Sequence, residues 1–152
     1  MRSKKRSGAS SRSKPPEPTP PPLFVDRSLG RHVIPDALRA LGVEVHAHDD
    51  HFPQNAPDDV WLPIVGKRGW AVLTKDTKIR LRDTELSALV RGRVRAFVLT
   101  SGDMTGPEIA RVLSLALPRI ARFCRRHDPP FIARVSRTGA IQLLYDSRRG
   151  MK

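Results

Sequence analysis

Short segments that are apolar throughout alternate with amphipathic segments along this chain, and this alternation is the strongest constraint on its fold. The apolar segments are residues 23–25 (LFV), 70–74 (WAVLT) and 94–100 (VRAFVLT). Strands of this kind are typical of parallel sheets that helices cover on both faces. With right-handed crossovers, they predict an α/β fold, a three-layer α/β/α sandwich with a mainly parallel central sheet.

The segments between these strands carry helix signals. Apolar residues recur at helical spacing from Val33 to Leu41, and Gly42 follows as a C-terminal cap. Thr105 and Glu108 form a capping box at the start of a long helix that runs to residue 126. Residues 43–48 (VEVHAH) alternate like a strand, and residues 49–57 are predicted to form a loop. The segments FIARVS and IQLLY around an RTGA turn predict a C-terminal β-hairpin.

The charge and composition divide the chain into three parts. Residues 1–22 are rich in Ser, Pro and basic side chains and are predicted to be a disordered tail. Residues 23–145 form the predicted domain, and residues 146–152 a short basic tail. The formal net charge of the whole chain is +13. This excess favours a polyanionic partner, either a nucleic acid or an anionic surface, although a basic composition can also serve solubility alone.

Other patterns narrow the class of protein. Cys124 is the single cysteine, so an intramolecular disulfide is excluded, and we expect an inert thiol. No apolar stretch is long enough to span a membrane, and the basic N-terminus is not followed by the apolar core of a secretory signal. We therefore expect a cytoplasmic protein without a membrane partner. Phosphate-loop, dinucleotide-binding and serine-hydrolase motifs are absent from the sequence.

Aspartates follow several of the predicted strands. Asp26 comes directly after LFV, Asp76 lies two residues past WAVLT, and Asp103 three past VRAFVLT. In a parallel sheet these positions meet at one edge, and Asp58 or Asp59 can join them from the start of a helix. A single aspartate at such a position is more often a helix cap. Clustered carboxylates repel one another, however, and their oxygens suit Mg²⁺ or Mn²⁺.

Basic residues flank these acids, and we predict that they bind phosphate. They are Arg27, Arg31, Lys75, Lys78 and Arg80. Carboxylate-held metal ions beside basic side chains describe a metal-dependent nuclease, in which the ion polarises the phosphate and activates water.

Two further motifs leave alternatives open. His46, His48 and His51 could bind a transition metal, line an exposed strand edge, or support the acidic site. Arginines in the second half of the long helix could contact phosphate, bind an acidic protein segment, or simply be solvated. These arginines are Arg119, Arg122, Arg125 and Arg126.

The order of motifs from residue 23 to about residue 135 resembles the PIN-like nucleases, in the branch of VapC-type toxins. The matching patterns are F-x-D at Asp26, D-x-x-W at Asp58 and T-x-D at Asp76. The resemblance implies a Mg²⁺- or Mn²⁺-dependent endoribonuclease that is the toxin of a toxin–antitoxin pair. Asp26, Asp58 and Asp76 are then the catalytic metal ligands, with Asp59 as the alternative to Asp58 and Asp103 as a candidate fourth acid.

The implied partners are an RNA substrate and a cognate antitoxin, and a homodimer remains open. Two rival functions remain open as well. A nucleic-acid-binding module would bind RNA with a steep salt dependence and yield no metal-dependent product. A regulatory α/β module related to receiver domains would use the acids after the second strand.

Overall fold

The computed structural model describes residues 19–100, 102–147 and 150–151, so most of the expected N-terminal tail lies outside the described residues. The strands are β1 (Leu23–Val25), β2 (Val45–Ala47), β3 (Ala71–Thr74), β4 (Arg95–Leu99), β5 (Phe131–Val135), β6 (Ile141–Asp146) and β7 (Gly150–Met151). The helices are α1 (Val33–Ala40), α2 (His48–His51), α3 (Asp58–Lys67), α4 (Asp83–Gly92) and α5 (Gly106–Arg126). Short 3₁₀ turns cover Arg27–Leu29 and Ile79–Leu81.

The strands form one seven-stranded sheet in the order β2-β1-β3-β4-β5-β6-β7. All pairings from β2 to β5 are parallel, and β6 and β7 are added antiparallel. The predicted mainly parallel sheet and its C-terminal hairpin are therefore confirmed. The sheet continues beyond residue 145, because β6 ends at Asp146 and β7 pairs back onto it.

Helices cover the sheet on both faces, as the uniformly apolar strands predict. Successive residues of a strand point to opposite faces, so Leu23 and Val25 pack with helices α1 and α5. Phe24, between them, packs with α3 and α4 in a second core. Each core buries its apolar side chains almost completely, and the three-layer α/β/α sandwich is confirmed.

Two helices begin or end where the capping residues in the sequence predict. Thr105 and Glu108 form the reciprocal capping box at the start of α5. Gly42 follows α1 with a φ of 86°, a left-handed conformation that costs glycine little. The segment after β2 was predicted to be a loop, but it begins with the four-residue helix α2. A single helical turn has no apolar periodicity, so the sequence pattern could not reveal it.

The chain order of the strands places a crevice at the carboxyl ends of β1 and β3. The chain leaves β1 toward β2 on one side and later returns to β3 on the other side. Ligands of open α/β sheets bind at such a reversal point. In the described part of the chain, no helix is both long enough and apolar enough to cross a membrane.

Candidate functional site

Asp26 lies at this crevice, immediately after β1, and is only 6% exposed. Its backbone N–H donates to the carbonyl of Leu73 on β3, which extends the parallel pairing by one residue. Its Oδ2 atom accepts hydrogen bonds from the hydroxyls of Ser28 and Thr74, each at 2.8 Å. Its Oδ1 atom is buried and has no hydrogen-bond partner among the described residues. An unpartnered buried carboxylate oxygen is costly without a cation or donor.

Thr74 joins Asp26 to Asp76. The Thr74 hydroxyl donates to Asp26 and accepts from the backbone N–H of Asp76 at 3.0 Å. The Asp76 carboxylate accepts from the backbone N–H of Lys78 at 3.0 Å and from the Arg82 guanidinium. Asp26 and Asp76 therefore lie on the same edge of the sheet, as the parallel strand pattern predicts.

Asp58, Asp76 and Glu85 form a cluster of acids beside Asp26. Each offers a carboxylate oxygen, and these oxygens lie within 4.8 Å of one another. Asp58 comes from the first turn of α3 and Glu85 from the first turn of α4. Arg82 donates to both Asp76 and Glu85, and these contacts raise the pKa of its guanidinium. Three oxygens at this spacing are a suitable donor set for a hard divalent cation.

The orientation of Asp58 is fixed by two donors. The indole N–H of Trp61, one turn further along α3, donates to Asp58 Oδ1 at 3.0 Å. Arg27 donates to the same oxygen at 2.9 Å. Burial raises the pKa of Asp58 above its ordinary value, and the charges of Asp26 and Glu85 raise it further. The arginine and the indole only partly offset this repulsion, which a bound cation would relieve.

Arg27 has a different setting from the one expected for a phosphate-binding residue. Besides Asp58, its guanidinium donates to the carbonyls of Gln54 and Ala56 and contacts the His48 ring. These bonds hold the loop before α3 against the site. They favour a role in positioning Asp58.

Where the structure describes them, the other basic side chains predicted to bind phosphate make fewer contacts with the acids of the site than Arg27 does. Lys75 and Lys78 are exposed on either side of Asp76, where their ammonium groups can reach an anion. Arg31 is exposed and lies 3.9 Å from Asp49. The side chain of Arg80 lies outside the described residues. Phosphate binding stays a prediction for all five residues, namely Arg27, Arg31, Lys75, Lys78 and Arg80.

Two candidate acids lie outside the cluster. Asp59 is exposed and lines a groove between α3 and α4 with Asp83 and Arg91. Asp103 is 99% exposed and lies 3.5 Å from Arg137. Of the two adjacent aspartates at the start of α3, it is Asp58 that faces Asp76 and Glu85.

The histidines lie on the side of the site, at the edge strand β2. His48 is buried between Asp49 and Arg27, so it supports the residue that holds Asp58. His46 stacks on Trp70 with ring centroids 3.8 Å apart, and its ring nitrogens face Glu44 and His51.

Cys124 lies on helix α5, away from these histidines. Burial raises the pKa of its thiol to about 11, which is consistent with an inert cysteine.

Glu85 is the site residue that the sequence analysis missed. It follows no strand, and an acid in the first turn of a helix ordinarily serves the helix dipole. Its role becomes visible only through the close packing of α3 against α4. The carbonyl of Gly92 on α4 lies so near Gly66 on α3 that a side chain at Gly66 would overlap it.

Comparison with known proteins agrees with this geometry. A family model described as PIN like domain matches residues 21–101, which contain Asp26 and all three clustered acids. A curated relative from Mycobacterium tuberculosis (strain ATCC 25618 / H37Rv), named "Putative ribonuclease VapC45", is 29% identical over 126 residues. That alignment covers 80% of this chain and 91% of the relative. No solved structure gives a significant match. Since the family model covers more than half of the sequence, the chain belongs to the PIN-like domain family.

Proposed function

We propose that this protein is a divalent-metal-dependent endoribonuclease. The observation that carries the proposal is the convergence of Asp58, Asp76 and Glu85 beside the unpartnered buried oxygen of Asp26. Membership of the PIN-like family and the ribonuclease name of the mycobacterial relative support the same activity. The resemblance to VapC-type toxins extends the proposal to a toxin that pairs with a cognate antitoxin.

The residues present fit a Mg²⁺ or Mn²⁺ ion. Asp58, Asp76 and Glu85 would hold it, and Asp26 would add a ligand or hold the attacking water. When bound, such an ion supplies Lewis acidity at the scissile phosphate and lowers the pKa of an attacking water. Ser28 and Thr74 fix one oxygen of Asp26 by hydrogen bonds. The other oxygen has no partner among the described residues and would be the one to bind the ion or the water.

The surrounding residues keep this constellation in place and bind the substrate. Trp61 and Arg27 hold Asp58 at a fixed angle, which removes the entropy cost of ordering it during the reaction. Lys75 and Lys78 would hold the phosphates on either side of the cleaved bond. Arg82 neutralises Asp76 and Glu85 and limits repulsion within the cluster.

Incubation of purified protein with total RNA tests this function. We expect cleavage with Mg²⁺ or Mn²⁺ and none with EDTA, because the carboxylates alone lack an electrophile. Gel analysis of the products and restoration of activity after replacing the metal are the measurements. RNA binding without cleavage under every metal condition would instead identify a nucleic-acid-binding module.

A stability measurement tests the cation site without relying on activity. Asp58 has a raised pKa when folded, so its contribution to stability is present below its unfolded pKa and is lost as pH rises through the folded pKa. In EDTA, the Tm of Asp58→Asn relative to wild type should therefore increase from acidic to neutral pH. Differential scanning fluorimetry across this pH range provides the comparison.

Stabilisation by added Mn²⁺ is the second measurement on the same two proteins. At a hundred times its Kd, the ion should stabilise the wild-type protein by about 2.7 kcal/mol. The Asp58→Asn variant should gain much less at the same concentration, since it has lost one ligand charge. Equal stabilisation of both proteins would place the ion elsewhere.

A further inference from the structure

Helix α5 carries a row of basic side chains on its exposed side, on the face of the sheet away from α3 and α4. Its opposite side packs into the core through Ile109, Leu113 and Ile120. The exposed side holds five arginines, and the helix contains one acid, Glu108, in its first turn. We define the α5 arginine stripe as Arg111, Arg119, Arg122, Arg125 and Arg126.

Most of these arginines lie close together in the second half of the helix. Arg119, Arg122 and Arg126 are separated by three and four residues, so they lie about one turn apart on one side. Arg119 is held by a hydrogen bond to the carbonyl of Thr138. Arg122, Arg125 and Arg126 line an open groove of about 340 Å³. The second half of α5 therefore presents a row of exposed guanidinium groups.

Helix α5 begins at the edge of the sheet that carries the acids and leads away from it. Helix α5 follows β4 at the carboxyl edge of the sheet, and its first residue, Gly106, packs beside Val33 at the start of α1. Its 21 residues span about 31 Å, which carries the last arginines to the opposite edge. A polyanion bound along α5 would thus approach the site from one side.

The chemistry of the stripe favours a nucleic acid over a protein. Arginine also occurs at protein interfaces, but there it accompanies large aromatic or apolar side chains that are buried at the centre of the contact. Leu115 is the large apolar side chain that lies exposed on this side of α5, and the groove at its end is lined by arginines. Guanidinium groups in a row match the repeated phosphates of a strand and pair with them bidentately.

From this arrangement we propose that the α5 arginine stripe binds the phosphate backbone of an RNA strand outside the metal centre. The inference rests on the proposed function only in taking RNA as the polyanion. The stripe supplies affinity that does not depend on sequence, whereas the acidic cluster performs the cleavage. Each phosphate contact releases counterions, so the stripe makes binding dependent on salt.

The test compares two triple variants with equal charge loss. The stripe variant is R119Q/R122Q/R126Q, and the control K67Q/R68Q/R91Q removes three exposed charges from the α3–α4 side. Binding of a labelled oligouridine of about a dozen nucleotides is measured by fluorescence anisotropy in EDTA, at several salt concentrations. Glutamine keeps helix propensity, and circular dichroism verifies that both variants are folded.

We expect the stripe variant to reduce the slope of log affinity against log salt by about 2. Each phosphate contact to a single strand contributes about 0.7 to this slope, and the variant removes three arginines. The control should change that slope by well under 1. An equal effect of both variants would mean that net charge alone drives binding, and this overturns the proposal. An unchanged slope in the stripe variant overturns it as well. So does a variant that retains RNA affinity but loses binding of polyglutamate, since this would identify an acidic protein partner.

A cleavage assay separates this proposal from the proposed function. A trinucleotide that is too short to extend along α5 should be cleaved equally by wild type and the stripe variant in Mn²⁺. If the wild type binds oligouridine through the stripe but cleaves no RNA, the ribonuclease proposal fails and the stripe stands. If the wild type cleaves RNA but the stripe variant has the same salt slope as the wild type, the stripe proposal fails and the ribonuclease proposal stands.

Discussion

Replacement of Asp26 by Asn is expected to lower RNA cleavage about a thousandfold or more while the domain stays folded. The loss corresponds to about 4 kcal/mol of transition-state stabilisation, within the range that a correctly held metal ion supplies. Asparagine keeps the size of the side chain and one oxygen that can accept from Ser28 and Thr74. The amide nitrogen would replace the unpartnered Oδ1 and could not bind a cation. The measurement is the initial rate of cleavage in Mn²⁺, with thermal unfolding as the check on folding.

Asp76→Asn should give a loss of similar size, because Asp76 belongs to the cluster itself. Asp103→Asn is the matched control. Asp103 also follows a strand, but it is almost fully exposed and pairs with Arg137, so its replacement should leave the rate within about twofold. Wild-type rates in the Asp26 and Asp76 variants would refute the assignment of these residues. A large loss in Asp103→Asn would restore it as a fourth acid.

Replacement of Gly92 by Ala is expected to destabilise the protein by about 3 kcal/mol, or about 10 °C in Tm. A Cβ atom at this position would lie 2.6 Å from the Cα of Pro63, and backbone atoms cannot move aside as a side-chain end can. Asp58 and Glu85 lie in the first turns of the same two helices, so an adjustment of these helices would also shift the acids relative to each other. The variant should therefore lose Mn²⁺ affinity along with stability.

Gly106→Ala serves as the control for this prediction. Gly106 also lies in a helix, but a Cβ atom there would meet a methyl group of the exposed Val33 side chain at 3.2 Å, not backbone. We expect a change in unfolding free energy of less than about 1 kcal/mol. Chemical denaturation of both variants measures the difference. Equal stabilities would show that α3 and α4 can separate without cost.

The sequence predicted the architecture because its strands are short and apolar on both faces. Residues such as Leu23 and Phe24 occupy opposite cores, and this pattern is incompatible with a sheet exposed on one side. The positions of Asp26 and Asp76 at one edge follow from the parallel direction of β1 and β3. This part of the site could be read from strand order alone.

The rest of the site depends on contacts that no local pattern encodes. Glu85 lies close to Asp58 because α3 and α4 pack together. The backbones of these helices meet at Gly66 and Gly92, and neither glycine signals this contact in the sequence. Phosphate binding by Arg27 stays a prediction. The sequence did not show that its donors reach Gln54, Ala56 and Asp58 across about thirty residues of chain. Side-chain partners of this kind are set by tertiary packing.

The hydrogen bond between Thr74 and Asp26 joins residues that are 48 positions apart. No contiguous fragment shorter than this can bring the two groups together, and parallel pairing requires the whole intervening crossover to close first. The acids of a newly synthesised or partly unfolded chain are therefore scattered and inert. Hydrolytic competence should emerge only after β1 and β3 have paired, and local opening of β1 would abolish it.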